Sequence, residues 1–186
     1  MAKWRAFMNR NELAHEIYAT SHISGFFKLR SGKVSREYFD KYLFESDPRF
    51  LKEIAKNMSK LIPTNTEVLA GLEMGGIPVA TALSLLTNIP VIFVRKKAKE
   101  YGTGKLAEGI EVGNKQVCII EDVVTTGGQI LLSNADLKQL GAKTKSVLCV
   151  IKRGNRCRDY LKKEGLELIS LFTMDELEKT GRSAYF

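Results

Sequence analysis

The residues best suited to chemistry stand together in one stretch, Ile-Ile-Glu-Asp-Val-Val-Thr-Thr-Gly-Gly-Gln, over positions 119–129. Glu121 and Asp122 fall where an apolar run ends, and leaving carboxylates unpaired in a core would be costly. Paired acids at a strand end can bind a metal ion or accept hydrogen bonds from a sugar diol. Thr125, Thr126, Gly127 and Gly128 then lead directly into a helical pattern. Two hydroxyls, two glycines that allow close backbone approach, and the amides of a helix N-terminus make a cradle for phosphate. The same four residues also suit an ordinary Thr-capped turn. Neither GxxxxGK[ST] nor GxGxxG occurs anywhere in the chain, so this is not a Walker or dinucleotide loop.

A second concentration is cationic. Arg95, Lys96, Lys97, Lys99 and Lys105 fall within eleven residues, in a segment with few apolar anchors and two glycines, Gly102 and Gly104. Taken alone, such a run reads as a solvated loop. The chain as a whole has 29 Lys plus Arg against 21 Asp plus Glu, a formal charge of +8, which suits anionic partners. No aromatic-rich basic motif or helix-turn-helix points to nucleic acid.

The elements that must position these groups follow from hydrophobic spacing. From Glu67 onward, EVLAGL, PVIFVRK, VCIIEDVV, SVLCVIKR and LELISLF alternate with the helix-length segments IPVATALSLL, GGQILLSNADLKQLGA and RCRDYLKKEG. Near-continuous β-branched runs separated by helices read as buried parallel strands in βαβ units. The expected fold is α/β, a doubly wound, mostly parallel sheet flanked by helices. Ligands in such sheets sit at the carboxyl ends of strands, which singles out loops 71–76, 95–109 and 121–128.

Before this core, residues 8–20 space Leu13, Ile17 and Tyr18 as a helix does. A polar, glycine-marked segment, FFKLRSGKVSREYFD, follows. Pro48 then opens an amphipathic helix with Phe50, Leu51, Ile54, Met58 and Leu61 on one face, stopped by Pro63. Residues 1–45 are expected to form a small N-terminal hood and residues 46–186 the core, within one structural domain.

With 186 residues and 44% hydrophobic content, the chain can bury a core without staples. No apolar run approaches the length of a membrane span, and the first residues make a poor secretory signal. The three cysteines, Cys118, Cys149 and Cys157, form no CxxC. His15 and His22 lack metal-ligand spacing, so a zinc site is not expected. A reduced, cytoplasmic protein fits this usage.

Two acids, two small aliphatics and TTGG after an apolar strand resemble the signature of type I phosphoribosyltransferases. The resemblance implies that family's fold. It also implies that Glu121 and Asp122 meet the ribose hydroxyls of phosphoribosyl pyrophosphate (PRPP), while Thr125, Thr126, Gly127 and Gly128 hold its 5′-phosphate.

Further segments resemble the orotate phosphoribosyltransferase branch, over about residues 13–177. VRKKAKEYGTGKLAEG is similar to its RKxAKxxG catalytic loop. This implies pyrophosphate-binding roles for Arg95, Lys96 and Lys99, with Lys99, Glu121 and Asp122 in the catalytic set. It also implies a homodimer in which loop 95–109 serves the neighbouring subunit. Tyr101 stands where many members have His, so no His-dependent role carries over. FFKLRSGKVSREYFD resembles FxLxSGxxSxxYxD, the hood over the base, and places Arg30, Tyr38 and Phe39 at orotate together with Thr125. GLEMGGIPVA resembles the G-x-E-x-GG-I-P pyrophosphate loop and implies backbone contacts from Glu73, Met74, Gly75 and Gly76. VIKRGN puts Arg153 where the branch has an arginine for the orotate carboxylate, with Lys152 replacing the usual acid.

The implied reaction joins orotate and PRPP to give orotidine 5′-monophosphate and pyrophosphate, in UMP biosynthesis. Mg²⁺ is the implied cofactor, held mainly by substrate oxygens and water. Other readings are a purine or uracil phosphoribosyltransferase, a non-catalytic nucleotide sensor on the same fold, and an RNA-binding protein. The segment before the core and Arg153 favour orotate, and neither a nucleic-acid nor a membrane partner is expected.

Overall fold

A computed structural model describes residues 8–29, 31–97 and 105–182. The first described element is α1 (Arg10–Ser21), opened by a reciprocal cap in which Asn9 accepts from the amide of Glu12 while Glu12 accepts from the amide of Asn9. A hairpin follows, β1 (His22–Lys28) against β2 (Val34–Phe39), paired antiparallel. Gly32 closes it at φ +84°, a conformation that favours glycine, donating to the carbonyl of Leu29. Next come α2 (Lys41–Glu45), capped by Asp40, and α3 (Pro48–Met58), which Asp47 caps and Pro48 opens.

The remaining elements build the central sheet: β3 (Val68–Leu72), α4 (Gly76–Thr87), β4 (Val91–Val94), β5 (Ala107–Glu108), β6 (Gln116–Val124), α5 (Gly128–Gln139), β7 (Lys143–Lys152), α6 (Arg156–Lys163), β8 (Glu167–Thr173) and α7 (Met174–Arg182). The spatial order is β5-β4-β3-β6-β7-β8. All neighbours pair in parallel except β5, which runs back against β4. This is the mostly parallel, doubly wound sheet expected from the run-and-helix pattern.

Strand alternation divides the core into two faces. Leu69, Cys118, Ile120, Leu148 and Val150 pack with the apolar stripes of α1, α3, α4 and α7. Val68, Ala70, Ile119, Val147 and Cys149 pack on the other side against α5 and α6, through Ile130, Leu137, Cys157 and Leu161. Each fully buried Leu or Ile stabilises the fold by about 1.5–3 kcal/mol. All three cysteines are free and buried.

Two features differ from the sequence expectation. The segment after α1 is a β-hairpin rather than a glycine-marked loop. No residue of either strand is fully buried, so this two-stranded ribbon leaves little hydrophobic trace in the sequence. Strand β6 continues through Glu121 and Asp122 to Val124, because its ladder to β7 persists to Val124 opposite Lys152. Leu13, Ile17 and Phe44 share one apolar cluster with Phe50, Ile54 and Leu177.

Candidate active site

The sheet topology puts a crevice beside the acidic pair. From β3 the chain winds outward through α4 to β4; from β6 it winds the opposite way through α5 to β7. The carboxyl ends of the adjacent strands β3 and β6 therefore form the topological switch point, where α/β sheets bind ligands. Pairing between them stops at Gly71 opposite Ile120. Glu121 and Asp122 lie just past that point, facing the loop that follows β3.

The two acids have different surroundings. Glu121 is half-buried, whereas Asp122 is 1% exposed. One Asp122 oxygen accepts from the Lys41 ammonium and the other from the amide of Val123. Glu45, one turn along α2 from Lys41 and 5% exposed, crowds the same carboxylate. Burial, reinforced by a hydrogen bond with Asp122, pushes Glu45 up to about 9. Burial alone would also raise Asp122, but hydrogen bonds to Glu45 and Lys41 outweigh it and hold Asp122 below the usual carboxylate range. Glu121 is pushed up to about 8, first by burial and then by the charge of Asp122. Lys41 and Glu45 carry no motif and were not foreseen; their i,i+4 spacing on a short helix gives no hint of a partner 81 positions away.

Thr125 and Thr126 are exposed, and Gly127 turns the chain at φ +82° into α5. No side chain caps α5, so the capped-turn reading of TTGG does not hold. The first amides of a helix have no intrahelical partner. Here they lie beside two free-standing hydroxyls, the arrangement a phosphate needs.

Across the crevice, Glu73 and Met74 are joined by a cis peptide and followed by Gly75 and Gly76. Both glycines are required by the chain's own packing. A Cβ on Gly75 would overlap the Asp122 carboxylate, and one on Gly76 would strike the carbonyl of Ile120. Glu73 also ties this loop to the cationic segment, accepting from the amide of Lys96 at 3.0 Å. The cationic segment is pinned at both ends. Arg95 donates its amide to Leu106 at 2.9 Å, and β5 pairs with β4. Lys105 pairs with Glu111 at 2.8 Å. Lys99 and Tyr101, like Arg30 of the hood, lie outside the described residues.

Arg153 closes the site from the far side. Its amide donates to the carbonyl of Val124 at 2.8 Å, tying it to the start of the TTGG turn. Its guanidinium lies over Phe39, 5.5 Å from the ring centroid. Burial lowers its pKa, while the charges of Glu178 and Tyr38 act the other way. Tyr38 remains 43% exposed and packs against Phe27. Lys152, in the place of the expected acid, donates to Asn155 at 2.9 Å and leaves the Arg153–Phe39 contact intact. The structure thus brings together Glu121, Asp122, Thr125–Gly128, Glu73–Gly76, Arg95, Lys96, Tyr38, Phe39 and Arg153 from five segments.

Among the described residues, no group of three or more His, Cys, Asp or Glu is arranged to hold a metal ion. Glu121 and Asp122 are hard oxygen donors, and among the described residues Lys41 is the cation bonded to Asp122. That donor set fits a Mg²⁺ that takes most of its ligands from phosphate, ribose and water.

The model of the phosphoribosyl transferase domain family matches residues 44–176. Fold, switch-point crevice and uncapped TTGG turn together make the molecule a phosphoribosyltransferase. Orotate phosphoribosyltransferase from Nocardioides sp. is 48% identical over 166 residues, covering 89% of this chain and 93% of that one. The Mycobacterium tuberculosis orotate phosphoribosyltransferase solved with Fe(III) dicitrate superposes with a TM-score of 0.81 at 30% identity, covering 90% of this chain and 98% of that one. The M. tuberculosis enzyme solved with PRPP gives 0.78 at 28%, covering 91% and 98%. This chain belongs to the orotate phosphoribosyltransferase family.

Proposed function

We propose that the chain transfers the phosphoribosyl group of PRPP to orotate, giving orotidine 5′-monophosphate and pyrophosphate for pyrimidine biosynthesis. The observation that carries this reading is the Arg153–Phe39 pair, tied through Val124 to the TTGG turn. It sets a carboxylate-binding fork and an aromatic face beside a phosphate cradle.

The chemistry is a displacement at the anomeric carbon. The orotate ring nitrogen forms a new bond to that carbon as the bond to pyrophosphate breaks, and the electron pair leaves on the pyrophosphate oxygen. The carbon becomes cationic on the way, so the protein needs no covalent nucleophile. It must hold two anions in line, neutralise the departing charge and exclude water. The Thr125–Gly128 backbone fixes the 5′-phosphate, and Glu121 accepts from the ribose diol. The 73–76 backbone with Arg95 and Lys96 receives the pyrophosphate, and Lys99 adds its charge when the 95–109 loop closes. Arg153 pairs with the orotate carboxylate, with Arg30, Tyr38 and Phe39 over the ring. Glu121 and Asp122, with substrate oxygens and water, would hold a Mg²⁺, which would supply neutralisation of phosphate charge.

The working form is a homodimer in which loop 95–109 of one subunit serves the site of the other. No helix among the described residues is long and apolar enough to cross a membrane, and three buried free thiols fit a reducing cytoplasm. The test is pyrophosphate release from PRPP with Mg²⁺ across a panel of bases. Turnover with orotate supports the reading. Turnover only with a purine or uracil moves the chain to another branch's chemistry.

A further inference from the structure

The segment from Phe39 to Glu45 touches both halves of the site. Phe39 lies under Arg153, on the base side. Two residues on, Lys41 pairs with Asp122, on the sugar side. Asp122 is held by Lys41 on one oxygen and by the Val123 amide on the other, with the bare face of Gly75 against it and Glu45 beside it.

We infer that Lys41 is a positioning residue of the sugar site: by fixing Asp122 against Gly75 it sets the end of β6, and with it Glu121 and the turn that follows, in the geometry that receives PRPP. Lys41 belongs to the hood, so the same contact registers the hood on the PRPP loop. Asp40 caps α2 and fixes where Lys41 begins its reach. Lys41 also lies 5.1 Å from the centroid of the Tyr42 ring, which borders its side chain. The ammonium is spent on Asp122 and not on solvent; its side chain is only 32% exposed. This inference rests on the phosphoribosyl-transfer reading.

The experiment is steady-state kinetics on wild type, Lys41→Met, Lys41→Arg, Asp122→Asn and the double variant Lys41→Met/Asp122→Asn, with thermal melts of each. Wild type must first release pyrophosphate from PRPP and orotate; if it does not, the functional reading falls and this inference with it. Given activity, Lys41→Met is expected to raise the PRPP KM about tenfold or more, the scale of loss when the partner orienting a binding group is removed. The orotate KM should change less, and Lys41→Arg should recover most of the loss. Because Lys41 acts through Asp122, adding Lys41→Met to Asp122→Asn should cost little more than Asp122→Asn alone. Additive losses would mean that Lys41 meets substrate directly, and an unchanged PRPP KM in folded Lys41→Met would mean that it has no part in the site. Either result overturns the inference. Should Lys41→Met fail to fold, the Lys41→Arg and Asp122→Asn kinetics decide: equal losses in both KM values overturn it.

Discussion

The guanidinium of Arg153, at the end of β7, rests over the ring of Phe39, at the end of the hood hairpin. A planar cation on an aromatic face keeps its edge free for a planar anion. Removing Arg153 should therefore weaken orotate more than PRPP. Arg153→Ala is expected to raise the orotate KM roughly thirtyfold, from the loss of a charge-assisted hydrogen bond worth about 2 kcal/mol. Equal effects on both substrates would remove Arg153 from the base site.

Gly75 has no room for a side chain, because the Asp122 carboxylate occupies the place of a Cβ. Gly75→Ala should destabilise the fold by about 1–3 kcal/mol, the usual cost of forcing atoms into a packed region. It should also raise the PRPP KM by displacing Asp122. A melting curve and a PRPP titration check both, and an unshifted melting temperature would contradict the packing described.

Glu45 gives a pH signature. Its carboxyl is raised by burial and by Asp122 from an ordinary 4.5 to about 9. Between those values the folded state holds a proton that the unfolded chain has released, so stability is greatest below 4.5 and declines as pH rises towards 9. Glu45→Gln is neutral in both states. It should flatten that decline, giving a smaller loss of melting temperature between neutral pH and pH 9 than wild type, measured without Mg²⁺. An unchanged slope would show that Glu45 is not the group that holds the proton.

Lys99 lies outside the described residues; on either side of it, Arg95 donates to Leu106 and β5 pairs with β4. Lys99→Ala should lower kcat roughly 100-fold, the scale of losing one preorganised charge at a developing anion, with no change in melting temperature. Unaltered turnover would dissociate the loop from the chemistry.

What could be read from sequence follows the physics of each element. The central strands declared themselves because burial on both faces demands unbroken apolar runs, and TTGG did so because it sits between such a run and a helix. The hairpin over 22–39 did not, since its two strands bury little and Gly32 was the one local mark of its turn. The role of Gly75 was legible only in part. Close approach was expected, but the approaching group is Asp122 of the same chain. Lys41 and Glu45 were silent, because a buried cluster assembled from residues 81 positions apart leaves no spacing to detect. The extension of β6 through its acids was hidden because ladder pairing with β7, not hydrophobicity, sets where that strand ends.

The grip of residues 121–128 on a phosphorylated sugar is tested most directly by calorimetry of the purified protein with PRPP and with orotidine 5′-monophosphate, in Mg²⁺, alongside Glu121→Ala. Saturable uptake of both ligands by wild type, with PRPP weakened in the variant, is the expected result. No uptake of either ligand by the folded wild-type protein would contradict it.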